Sequence, residues 1–416
     1  MTPAVTGPSG TVTHRELADR VAAAARGLAP GVRFAVCEPD PLDTIVAVLA
    51  ADRAGATAVV VDAAWSPAQR RRALSTSGVT GTAPSPSTSA TPFWVGFTSG
   101  SAGTPRPIAR TSASWTSSYP LVSERTGIRA GRTVGIPGPL ASSLFLFGTL
   151  HALWAGAHVV APGRWDPAAM DGLDAVHCVP TMLADLLDLP TPPPVAVCGG
   201  AALPTPVRDR ARSRGVRIAD YYGATELSFV AWGTPDGRLE PLPDVEVEVR
   251  SGEIWVRGPY LSLGYAADVD GPLRWDGAGF ATVGDLGTLH DGTLRVLGRG
   301  DGTIMCGGTP VLPQDVEHVL LDLPSVRDAV VVGTPHDRLG AVVTAVIEPV
   351  AAPPTSPHPS LLASLRAATR ERLAAPQRPR HWYVMPSLPR TGAGKVARTA
   401  VAEAVRTGTL AARRLR

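Results

Sequence analysis

Short apolar runs alternate with amphipathic stretches through the first half of the chain. Thr13 stands three residues before Glu16, the spacing of a capping box, and apolar positions recur at helical spacing to about Leu28. Residues Arg33–Cys37 form a short apolar run and predict a strand. A second helix is predicted from about Leu42 to Ala54, stopped by Gly55, and a second strand over Ala58–Val61. Short buried strands that alternate with helices predict a parallel, doubly wound sheet. Residues 140–161 carry no charged side chain, but Ser142, Ser143, His151 and His158 interrupt them, as do Gly148 and Gly156. They predict a buried helix followed by a strand at Ala157–Ala161, not a membrane span.

The α/β rhythm continues to about residue 220, and the pattern then changes. Val245–Val249 alternates with period two, and Glu253–Arg257 follows a Ser-Gly turn. Gly287–Leu289 and Leu294–Leu297 flank Asp291-Gly292. These stretches predict antiparallel hairpins and a small distorted barrel. A glycine-rich break at 298–302 precedes a unit with helices near 313–322 and 359–374, strands at 329–333 and 341–347, and a Pro-rich linker at 349–358. The expected fold is therefore a large α/β N-terminal domain, residues 1–299, with doubly wound lobes plus a small β-barrel-like part. A smaller, mobile α+β C-terminal domain, residues 300–416, follows it. Residues 80–92 read as a low-complexity linker.

Composition narrows the function classes. With 416 residues, 44% of them hydrophobic, the chain can bury the cores of two or three lobes. A net charge of +3 is close to balance, so charge gives no general case for nucleic acid or a membrane as partner. Cys37, Cys178, Cys198 and Cys306 stand far apart with no CxxC pair, which points to reduced thiols in a cytoplasmic protein. The first residues have neither the basic start nor the apolar core of a signal peptide. Arg greatly outnumbers Lys, and Gly and Pro are frequent, a bias of GC-rich bacterial genes.

The apolar run Phe93–Phe97 leads into Thr98-Ser99-Gly100-Ser101-Ala102-Gly103-Thr104-Pro105-Arg106. Glycines let backbone N–H groups turn toward one point, hydroxyls donate further bonds, and Arg106 adds charge. This is a strand entering a loop suited to an anion such as a nucleotide polyphosphate. No Gly-Lys-Ser/Thr closes it, so it is not a Walker A loop. The same residues also fit a flexible surface loop.

Tyr221-Tyr222-Gly223-Ala224-Thr225-Glu226 places a ring, a glycine turn, a hydroxyl and a carboxylate together. A ring can stack on a base, a hydroxyl can reach a phosphate and a carboxylate can hold Mg2+. A plain strand end is the alternative. Asp285, after Gly284, could accept ribose hydroxyls. Lys395, at the tip of the loop Arg390–Lys395, has the reach to meet an anion in another domain, or is an ordinary exposed lysine.

Taken in order, the motifs at 97–106, 221–226, 284–286, 298–308 and 389–395 resemble those of the AMP-forming adenylating enzymes. That superfamily holds acyl- and aryl-CoA synthetases, nonribosomal-peptide adenylation domains and luciferases. Residues 179–183 and 198–204 add weaker support, and the likeness runs from about Thr11 to Arg398. It implies ATP, Mg2+ and a two-step reaction. A carboxylic acid forms acyl-AMP, and CoA or a phosphopantetheine thiol, the latter on an acyl carrier protein acting in trans, then takes the acyl group. The resemblance assigns phosphate binding to Thr98, Ser99, Gly100, Ser101, Gly103, Thr104 and Arg106. It puts Gly200, Ala201, Tyr221, Tyr222 and Gly223 around the nucleotide, with Tyr222 stacked on adenine. Thr225 would bond the α-phosphate, Glu226 would hold Mg2+, and Asp285 and Arg299 would hold ribose. Lys395 would bridge the acid and the α-phosphate, and Asp301 would be the hinge about which the small domain turns.

Three departures stand out. Arg106 replaces the usual Lys, and charge is kept while geometry is not. Met305 replaces a frequent polar residue, and the chain is shorter than a typical member. The segment Pro139–Phe145 lacks the Asp that members activating α-amino acids carry, which favours an uncharged acyl or aryl acid. Two other readings remain: an amine or other nitrogen nucleophile as acceptor, and a non-catalytic nucleotide-binding regulator.

Overall fold

A computed structural model describes residues 2–79, 91–98, 106–299, 302–306, 309–350 and 359–415. The chain falls into two compact units. The first holds 1–202, 211–248 and 255–283, and the second holds 203–210, 249–254 and 284–416.

The first unit opens with a hairpin of β1 (Pro3–Gly7) and β2 (Gly10–Thr13), followed by α1 (His14–Ala25). Thr13 and Glu16 form the expected capping box at the start of α1. Next come β3 (Arg33–Val36), α2 (Pro41–Ala54), β4 (Thr57–Val60) and α3 (Pro67–Ser75). Gly55 ends α2 in the left-handed conformation that glycine adopts without a Cβ clash. β5 (Trp94–Thr98) pairs with β4 in parallel and with β6 (Arg106–Arg110) in antiparallel register. A sheet of five strands results, edged by the short strand Gly264–Tyr265 on β6.

The second sheet is built from β7 (Thr133–Gly135), β8 (His158–Val160), β9 (Ala175–Cys178), β10 (Val195–Cys198), β11 (Arg217–Ala224) and β12 (Ser228–Gly233). Its order in this unit runs β12-β11-β10-β9-β7-β8-β1-β2. All pairs from β11 through β1 are parallel, and only the outer hairpins are antiparallel. This is the doubly wound arrangement expected from the alternation. The helix between β7 and β8, Ser143–Trp154, is buried from Leu144 through Ala152, which explains its lack of charge. Its 12 residues span about 18 Å, well short of a hydrocarbon core of about 30 Å. Among the described residues no helix is long and apolar enough to cross a membrane.

That helix presses Gly148 against the ring of His177, where a Cβ would lie 2.6 Å from the imidazole. His151, on the same helix, bonds the Ser123 hydroxyl at 2.9 Å. Burial pulls the pKa of His177 down to about 3, with the charge of His151 adding to the effect, and that of His151 down to about 4. Both are neutral in the fold, so the unfolded chain binds more protons once the pH drops below its own His value of about 6.5. Stability should then fall with pH until the folded values are reached. His177→Gln should flatten the slope of unfolding free energy between pH 6.5 and 5, by about 0.7 kcal/mol per pH unit at the upper end and about 1.4 at the lower. Denaturant titrations at pH 7, 6 and 5 test this. Parallel curves for both proteins would show that His177 is not buried neutral.

In the second unit an antiparallel pair, 285–290 with 293–299, stands beside an α+β sandwich. Val326–His336 and Gly340–Pro349 form its long central hairpin. Ala329, Val331, Val343, Ala345 and Ile347 face one core, shared with Val316, Leu320 and Leu365. Val330, Val332 and Val346 face the other, shared with Leu388 and Val401. The alternation with period two places helices on both faces of this hairpin. None of the four cysteines forms a disulfide, and Cys178, Cys198 and Cys306 are buried.

Candidate active site

The predicted anion loop closes the β5–β6 hairpin, whose last pair is Thr98 opposite Arg106. Ser99, Gly100, Ser101, Gly103 and Thr104 lie outside the described residues. At the strand end, the Thr98 hydroxyl is buried and has no hydrogen-bond partner among the described residues. Arg106 donates from Nε to the Asp270 carbonyl at 2.8 Å.

Thr225 and Glu226 sit in the three-residue loop that joins β11 to β12, between the paired Ala224 and Ser228. Ser228 is left-handed at φ 59°, a costly state for a residue with a Cβ. The turn is fixed at each carbonyl. Leu227 N–H donates to Ala224 O at 3.1 Å, and Ser262 N–H donates to Glu226 O at 2.9 Å. Arg110 donates to Thr225 O from Nε at 3.0 Å and from Nη2 at 2.7 Å. The Thr225 hydroxyl lies 2.9 Å from that of Ser143. Glu226 is 3% exposed. Such a buried hard oxygen donor suits Mg2+, which takes its remaining ligands from water and nucleotide oxygens. No cluster of three or more His, Cys, Asp or Glu that could hold a metal occurs among the described residues.

Tyr221 and Tyr222 point to opposite faces of β11. The Tyr221 ring packs 4.5 Å from Phe229 and 5.6 Å from Trp232, and a Cβ on Gly199 would come within 2.3 Å of it. Burial raises its phenol pKa. Tyr222 is only half-buried. Gly200 follows β10 with φ 87°, and Ala201 beside it is exposed.

Asp285 and Arg299 lie opposite each other in register, so the structure brings the two predicted ribose ligands to one place on their backbones. Asp285 is 7% exposed. Asp301 lies outside the described residues, and Met305 is exposed.

Lys395 is the only lysine of the chain. Its loop is closed by the Arg390–Val396 bridge and by Thr391 N–H to Lys395 O at 2.7 Å. Beneath it, Arg390 is 3.0 Å from both Asp328 and Glu348. Glu348 also accepts from the Leu388 N–H at 2.8 Å. Arg398 pairs with Glu317, which accepts from Val331 N–H at 2.7 Å. The exposed amine is thus carried on a rigid, ion-paired base.

Known proteins resemble this chain. The model of the AMP-binding enzyme family matches residues 2–83 and 80–266, and that of the AMP-binding enzyme C-terminal domain matches 315–395. The chain belongs to the AMP-binding enzyme family. It is accordingly an ATP-dependent, AMP-forming ligase of carboxylic acids. It is 30% identical, over an alignment 434 positions long, to an uncharacterized acyl-CoA ligase, YhfT, of Bacillus subtilis, covering 89% of this chain and 87% of that one. A probable 2-succinylbenzoate-CoA ligase of Mycobacterium tuberculosis is 38% identical over 208 residues, 49% of this chain and 52% of the relative. The structure of a mutant of the amide bond synthetase Mcba of Marinactinospora thermotolerans aligns with TM-score 0.79 at 25% identity, covering 96% of each chain.

Sequence reasoning did not find Arg110, Ser143 or Ser262 as supports of the Thr225–Glu226 turn. Arg110 left one signal, a charge at the end of the apolar strand Pro107-Ile108-Ala109. Nothing local marks the other two, because their partners are remote in the chain.

Proposed function

We propose that this ligase activates an uncharged aryl or acyl acid and passes it to a thiol, CoA or the phosphopantetheine of a carrier protein acting in trans. The observation that supports this best is the pinned Thr225–Glu226 turn, a hydroxyl and a buried carboxylate fixed on one rigid hairpin. In the first step an acid oxygen attacks the α-phosphorus of ATP. The bond to pyrophosphate breaks, and acyl-AMP forms. In the second, the thiol sulfur attacks the acyl carbonyl, AMP leaves, and the thiol proton passes to solvent.

The first step needs charge held in place more than covalent chemistry. Thr98, the loop after it and Arg106 grip the β- and γ-phosphates, and the unpartnered Thr98 hydroxyl is a donor ready for that task. Thr225 donates to the α-phosphate and Tyr222 stacks on adenine, with Gly200, Ala201, Tyr221 and Gly223 shaping the pocket. Asp285 accepts from the ribose hydroxyls, beside Arg299. Lys395 neutralises the acid and the α-phosphate as they meet. Glu226 holds Mg2+, which supplies charge neutralisation at the phosphates when bound. We place the hinge at Asp301, so that residues 300–416 turn between the two steps, and the whole enzyme in the cytoplasm. The segment Pro139–Phe145 lacks the Asp of amino-acid-activating members, which supports an acid without an α-amino group.

A second reading keeps the adenylation step and hands the acyl group to an amine. It is supported by the likeness to an amide bond synthetase. Acid-dependent ATP–pyrophosphate exchange over a panel of aryl and acyl acids tests the adenylation step, and product masses with CoA, holo carrier protein or amines separate the acceptors. ATP binding without exchange for any acid would leave only a nucleotide-binding role. Within the same assay Glu226→Gln should fold normally, raise the Mg2+ requirement and slow exchange by about 10–100-fold. An unchanged Mg2+ titration would remove Glu226 from the metal.

A further inference from the structure

The most heavily buried cation among the described residues lies behind the turn that carries Thr225 and Glu226. Arg110 is 0% exposed at the end of β6. A buried guanidinium is tolerated only when its donors are used. Here they are. Nε and Nη2 grip the Thr225 carbonyl, Nη1 donates to the Tyr260 carbonyl at 2.8 Å, and Nη1 also donates to the Ser114 hydroxyl at 3.1 Å. The guanidinium carbon lies 5.7 Å from the centre of the Trp115 ring. Burial lowers its pKa to about 9, and the negative charge of Glu226 opposes that fall.

The placement joins two parts of the site. β6 begins at Arg106, immediately after the anion loop, and ends at Arg110. One five-residue strand thus runs from the loop to the back of the Thr225–Glu226 turn. We propose that Arg110 is a positioning residue for adenylation, holding the turn that carries the Thr225 hydroxyl and the Glu226 carboxylate in place against the end of β6. Its planar fork suits this task because one carbonyl takes two of its donors, a grip that an ammonium cannot reproduce. The strained Ser228 on the far side of the turn shows that the turn is held from outside rather than by its own preference. The inference rests on the adenylation reading above.

Arg110→Ala and Arg110→Lys, compared with the wild type, test it. Exchange by the wild-type enzyme tests adenylation itself, so failure of that reading appears before any variant is made. Circular dichroism and thermal melting establish folding. The Mg2+ concentration for half-maximal exchange should rise about 10–100-fold in folded Arg110→Ala, with kcat falling and the KM for the acid unchanged. ATP titrated calorimetrically, with and without Mg2+, should lose most of the Mg2+-dependent gain in affinity, a readout independent of turnover. Added guanidinium ion should restore part of both in Arg110→Ala. Arg110→Lys keeps the charge and should still show the raised Mg2+ requirement, and it carries the test if the alanine variant does not fold. Wild-type Mg2+ dependence in either folded variant would overturn the proposal. A uniform loss of kcat that tracks a lowered melting temperature, without a shift in Mg2+ dependence, would reduce Arg110 to a fold-stabilising residue and overturn it as well.

Discussion

Lys395→Ala should lower acid-dependent pyrophosphate exchange by on the order of 10²–10³, the usual loss when one donor to transition-state charge is removed. The acid and the α-phosphate both carry negative charge as they approach, and the amine is the cation proposed to relieve it. The loop that carries it is closed by its own backbone and stands on the Arg390 and Arg398 ion pairs, so the backbone that presents the amine is held in place. Transfer from supplied acyl-AMP to the thiol should stay near the wild-type rate, because the proposed role of the amine is confined to the adenylation half-reaction. Equal losses in both half-reactions would detach Lys395 from adenylation. Since this is the only lysine, an amine-selective acylating reagent has one side chain to modify, and exchange should fall in step with its modification.

Gly223→Ala should be as damaging for a different reason. An added Cβ would come within 2.0 Å of the Ser228 carbonyl oxygen, a backbone atom that cannot swing aside. The β11–β12 hairpin has to open there, and the Thr225–Glu226 turn moves with it. Overpacking of this kind costs about 1–3 kcal/mol of stability. A displacement of about 1 Å at a reacting group can cost roughly 10²-fold in rate. Melting temperature and exchange rate should fall together, with the larger loss in rate. A variant that melts near the wild-type temperature and keeps its rate would mean that the hairpin accommodates the methyl group without moving the turn.

Much of this was legible in the chain because the signals are local. The Thr13–Glu16 capping box, the stop at Gly55 and the charge-free helix at 143–154 each lie within a few residues, and each appears where expected. The strand into the anion loop appears as β5, and Asp285 meets Arg299 across a hairpin whose turn is written in Asp291-Gly292. What could not be read is what depends on distant partners. Arg110 is explained only by Thr225 and Tyr260, and the Thr225 hydroxyl has its neighbour in Ser143. The facing of Tyr221 and Tyr222 follows from strand geometry, but which face is packed depends on Phe229 and Trp232. Burial of Glu226 depends on how the remote segment around Ser262 closes over it. Periodicity tells which side of an element is covered, not which side chain covers it.

The order of strands in the first unit bears on how the enzyme is made. The N-terminal β1 finds its parallel neighbour in β8, with Val5 opposite Val159, and β6 receives its outer partner only at Gly264 and Tyr265. A ribosome adding about 5–20 residues per second needs on the order of ten seconds to deliver the first of these partners after Val5 is made. Throughout that time the nascent chain presents unpaired strand edges rich in valine and alanine, which favour self-association. Its yield in a cell should therefore rise with chaperone capacity during translation.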